Sequence, residues 1–259
     1  MTDCDIELPQ FDRADIVNTT FVARICLVQE QEEIFMKLYS AEAGRWSSSQ
    51  RQRHSSDLLE SLQRLERNFP NLYIKAPDDD LQDFLPQIEL ELAFRTSRIL
   101  IHRSRRQDAV SEDILQDSIK SLDIFLRLQD DKSHIEAYSI LLRYAVMSAC
   151  PTGADLQYRI FETHSFVAFF CLLSYVANKP AATKELKKLK EATQALRNLQ
   201  SHNTPSNRFS SLLLMVCSSV DRALAALSKR EHGQDHNIFG DFSTVGTCVL
   251  NLFLLASNY

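Results

Sequence analysis

The stretch Arg95–Arg106 reads RTSRILIHRSRR and sets five arginines and one histidine into twelve residues of a chain whose formal net charge is −5. Such a cluster either grips phosphates or forms part of a folded wall. Gripping nucleic acid needs cations that converge on phosphates and side chains that reach base edges or stack on bases. Here no aromatic residue interleaves the arginines, and Ile99, Leu100 and Ile101 interrupt them. Wound into a helix, Arg95, Arg98 and His102 share one face while Leu92 and Ile99 occupy the next. Glu91 lies four residues before Arg95, a spacing at which a carboxylate supports a helix by pairing with a cation. Arg103, Arg105 and Arg106 fall at the end of that helix, where positive charge complements its dipole. The stretch predicts a half-buried helix whose arginines pair with carboxylates, and no direct binding of nucleic acid.

Helical periodicity extends outward from this point in both directions. Upstream, Leu58, Leu62, Leu65 and Phe69 form a stripe that Asp57 and Glu60 open and Pro70 closes. Downstream, Ile114, Leu115, Ile119, Leu122 and Leu126 form another. Ile135, Tyr138, Leu142, Ala145 and Cys150 continue the pattern until Pro151 and Gly153 stop it. Leu156–Ala177 is apolar nearly all round, the mark of a central helix covered on every side. Pro180 starts an amphipathic helix with Leu186, Leu189, Leu196 and Leu199 inward and Lys184, Lys187, Lys188 and Lys190 in water. Thr204 and Pro205 open a last one, buried through Phe209, Leu213, Val216, Val220, Leu224 and Leu227. Strand signals are scarce. The prediction is an all-α bundle of eight to ten helices in one domain over residues 1–232. A tail over 233–259, ending in the apolar CVLNLFLLA, would supply a last core helix or bind a partner. Polar connectors are expected at Ala43–Ser56, Asn71–Asp83 and around Ser201–Ser206.

Composition removes several function classes. Apolar residues make up 44% of the 259 and charged residues 24%, enough to bury a sizeable core. Only five glycines are present, and they form neither a dinucleotide fingerprint nor a phosphate loop. The six cysteines are far apart with no Cys-x-x-Cys, which argues against a metal site and for reduced, buried thiols in an intracellular chain. The N-terminus, MTDCDIELPQ, has no signal-peptide core. The longest apolar run, Phe166–Ala177, is shorter than the ~18 residues a membrane span needs. A soluble protein without membrane contact is expected, with no cofactor and no metal.

Chemistry-bearing motifs are few. Asp79, Asp80 and Asp83 have a spacing that can hold magnesium, but no second metal motif follows, and an acidic loop capping the next helix is the plainer reading. His164 lies on an apolar face, where a lone histidine more often serves the core than catalysis. No H-E-x-x-H or G-x-S-x-G occurs.

Several segments, taken in order, resemble the regulatory region of fungal-specific transcription factors, the middle homology region that follows a binuclear zinc-cluster domain. CDIELPQF resembles that family's acidic opening, and EIFMKLYS its "I-Y-x-x-L-Y-S" helix. DLLESLQRLERNFP is similar to its "L-x-x-L-x-x-W-x-x-x-L-P" segment, with Leu65 or Glu66 at the tryptophan. LELAFRTSRILIHRS is similar to its "L-x-x-x-Y-x-x-x-x-I-L-L-H-R-P" helix, with Phe94 at the aromatic and Ser104 in place of proline. RIFETHSFVAFFCLL and PAATKELKKLKEATQAL resemble its closing half. The likeness covers about Asp3 to Leu227. It implies a helical regulatory core truncated on its N-terminal side and without the zinc cluster, in the nucleus, acting on fungal metabolic or secondary-metabolite genes.

On that reading the chain binds a small apolar ligand between helices, or a transcription-factor or other protein partner. Polar and aromatic residues on buried helices are the ligand-binding candidates: Tyr138, Tyr144, Phe161, His164, Arg95 and His102. No catalytic residue is assigned. The alternative is a cofactor-independent cyclase or isomerase of natural-product biosynthesis, working in the cytoplasm by positioning plus hydrogen bonds from His164, Tyr138 and Arg95.

Overall fold

The computed structural model describes residues 16–69, 85–105, 110–130, 166–179 and 182–202, and the single positions 218, 221 and 225. Among the described residues the regular structure is entirely helical. The chain divides into two compact units, Met1–Arg106 and Gln107–Tyr259.

In the first unit α1 (Ile16–Ile34) runs on into a π turn, Phe35–Tyr39, and a short 3-10 turn follows at Ala43–Arg45. After these come α2 (Ser48–Asn68) and α3 (Leu85–Arg103). Ala23, Leu27, Ile34 and Leu38 meet Leu58 and Leu62 of α2 and Leu90, Ala93, Phe94 and Ile101 of α3 in one core. Burying each Leu, Ile or Phe of this set stabilises the unit by about 1.5–3 kcal/mol. The π turn sits where α1 ends. There the Tyr39 hydroxyl donates to the Leu100 carbonyl at 2.6 Å and fastens the turn to α3.

The start of α2 differs from the sequence expectation. The helix opens at Ser48, not near Asp57, through a reciprocal capping box: Gln50 N–H donates to Ser47 Oγ at 3.3 Å, and Ser47 N–H donates to Gln50 Oε1 at 3.0 Å. The first turns look like a polar connector because Arg51 and Ser55 occupy the inward positions that apolar residues usually take. The Arg51 guanidinium donates to the carbonyls of Leu38 at 3.1 Å and Ala43 at 2.7 Å, across the π turn and the 3-10 turn. Cationic donors suit the carbonyl-rich C-terminal end of a helix such as α1.

In the second unit α4 (Glu112–Asp130), α5 (Phe166–Asn178) and α6 (Thr183–His202) pack on one another. Glu112 and Asp113 lie in the first turn of α4, where negative charge is favourable, and Ser111 Oγ accepts from Ile114 N–H at 3.4 Å. Every residue from Val167 to Leu173 is buried, as expected of a helix that is apolar all round. In α6, Leu189, Ala192, Ala195 and Leu196 are buried and Leu186 is half-buried.

Lys184, Lys187 and Lys190 are exposed as expected. Lys188 is not: it is half-buried, and its ammonium reaches Asp123 of α4 at 2.6 Å. That hydrogen bond raises its pKa above the ordinary lysine value, and partial burial works against it. Ser218, Asp221 and Ala225 are helical and exposed, on the polar side of the stripe expected after Pro205, and Asp221 pairs with Arg197.

Candidate functional site

The arginine-rich stretch forms the C-terminal half of α3, and α3 is a buried helix. Every side chain from Leu90 to Ser97 is buried. One face carries the core residues Leu90, Ala93, Phe94 and Ile101. A second set, Ile88, Leu92 and Ile99, is also buried. Alongside them at four-residue spacing run Gln87, Glu91 and Arg95, only 4%, 8% and 8% exposed. This buried polar stripe is the candidate site.

Arg95 donates from Nε to Glu91 Oε1 at 3.1 Å, and its Nη2 bonds the same oxygen. Arg95 has further interactions besides this pair. The expectation that Glu91 pairs with Arg95 along the helix therefore holds. Taking two charges out of water costs several kcal/mol each, so their mutual attraction mainly offsets desolvation. The pair fixes a local geometry more than it adds stability.

Arg98, one turn on, turns to α2 and pairs with Glu66, both side chains 17% exposed. Arg103 and His102 are half-buried and hold partners. Arg105 is half-buried, with its Nε enclosed and without a hydrogen-bond partner, and Arg106 lies outside the described residues.

Hydroxyls pin the end of α3. Ser104 Oγ donates to the Ile101 carbonyl at 2.7 Å and lies 2.8 Å from Ser55 Oγ of α2. Ser104 N–H donates to Leu100 O at 3.1 Å, a bond that proline at this position would forfeit. Ser97 Oγ donates to the Ala93 carbonyl at 2.8 Å and accepts from Gln31 of α1 at 3.3 Å. Hydroxyls donating to carbonyls in this way are structural ties and are not poised as nucleophiles.

Of the sequence candidates, Arg95 and His102 lie two turns apart along the same side of α3. Tyr138, Tyr144, Phe161 and His164 lie outside the described residues, as do Asp79, Asp80 and Asp83. Sequence reading missed Glu66, which neutralises Arg98 from 32 positions away, and Arg51, which is hidden in a polar run. The buried Ser118 hydroxyl of α4 was also missed; it has no hydrogen-bond partner. Among the described residues no group of three or more His, Cys, Asp or Glu is arranged to hold a metal, and no helix is long and apolar enough to cross a membrane. Cys26 is half-buried and Cys171 buried, both as free thiols, and burial raises the Cys26 pKa, with Glu30 adding to it.

No known protein family, curated protein or solved structure matches the chain.

Proposed function

We propose that this chain is a transcription-regulator-like protein that contains no zinc-cluster motif of its own and modulates fungal metabolic or secondary-metabolite genes by binding a small apolar ligand or a protein partner. The observation that carries this reading is the state of the arginine-rich helix. α3 holds one of the segments that carry the family resemblance, and its residues Leu90–Ser97 are buried, with Arg95 paired to Glu91 and Arg98 to Glu66. Cations used in this way supply no phosphate grip, which speaks against this helix as a DNA contact.

The finer architecture of this proposal is a bundle of eight to ten helices over residues 1–232 with a tail over 233–259, acting in the nucleus. Arg95 and His102, with Tyr138, Tyr144, Phe161 and His164, are the residues proposed to meet the ligand. An apolar ligand would act by favouring one of two packings of such helices.

Deleting the gene and comparing transcripts with metabolites tests the proposal. Loss of transcripts from a metabolic gene set supports regulation. Intact transcripts with an accumulated intermediate contradict it and favour the cofactor-independent cyclase or isomerase. In vitro, the purified chain should show no salt-sensitive binding to duplex DNA, because few phosphates would be neutralised; tight, salt-sensitive binding contradicts the reading.

A further inference from the structure

We draw no further inference here: the strongest candidate, the exposed apolar surface patch of Phe21 and Val28 on α1 and Met36 in the π turn that follows it, carries nothing because nothing in the structure shows what covers it.

Discussion

Replacing Arg95 with methionine should destabilise the first unit severely, and replacing Glu91 with leucine as well should restore most of what is lost. The Glu91 and Arg95 side chains are only 10% and 9% exposed. Removing the guanidinium alone leaves a buried carboxylate without its cation, which costs about 3–5 kcal/mol. The double variant removes both desolvation penalties and leaves apolar side chains beside Ile88, Leu92 and Ile99. Its stability should lie within about 1 kcal/mol of the parent, the remainder reflecting the other contacts of Arg95. The coupling energy of the cycle is then about 3 kcal/mol or more, large for two residues one helical turn apart. Urea unfolding followed by the emission of Trp46, the chain's one tryptophan, reads the correct unit, because Trp46 stacks on His54 of α2 at 4.3 Å. For a slope near 2 kcal/mol/M, the single variant's midpoint should fall by roughly 2 M. A single-variant cost below about 1 kcal/mol, or costs that simply add, would show that Arg95 is not held as an interior ion pair.

Three other outcomes follow from the same geometry. Arg51→Met should cost about 2–3 kcal/mol in the Trp46-monitored transition, because the carbonyls of Leu38 and Ala43 lose a cationic donor; Ala43 O keeps the Trp46 N–H at 3.3 Å, which limits the loss. A change within about 0.5 kcal/mol would place the guanidinium in water instead. Ser118→Ala should be neutral or stabilise by up to about 1 kcal/mol, because a buried hydroxyl without a partner is desolvated for no return; a clear loss of melting temperature would mean that this hydroxyl is bonded in solution. Lys188 has a raised pKa in the folded chain, so its contribution is complete below lysine's ordinary pKa and is lost as pH rises through the folded value. The melting advantage of the parent over Lys188→Met should accordingly be complete below lysine's ordinary pKa of ~10.4 and close only at higher pH, as the raised folded value is passed. A gap that widens with pH would contradict the Lys188–Asp123 link.

How much was legible in the sequence depended on whether the governing partner was near in the chain. The burial of Val167–Leu173 follows from composition alone, since thirteen residues without a charge have no side to give to water. Glu91 with Arg95 was legible because one helical turn fixes their distance. Glu66 with Arg98 was not, because only the crossing of α2 and α3 brings them together. The start of α2 was misplaced for a different reason. Hydrophobic periodicity finds a buried face by its aliphatic residues, and here the inward positions of the first two turns are Arg51 and Ser55, polar groups satisfied by the carbonyls of Leu38, Ala43 and Arg51. Lys188 was read as wet by the same logic, and a carboxylate on α4 overrode it. That Phe21, Val28 and Met36 are exposed was not legible either, because periodicity locates an apolar face without saying whether anything covers it.

Native-state hydrogen exchange along α3 tests most directly the claim that the arginine-rich helix is an interior element. The amides of Leu92–Ile101 should exchange only through opening of the whole first unit, with a protection free energy equal to the unfolding free energy measured by Trp46 emission. Exchange of those amides within a factor of about ten of unprotected backbone would contradict the account, because it would mean that the helix bearing Arg95 and Arg98 opens to water independently of its unit.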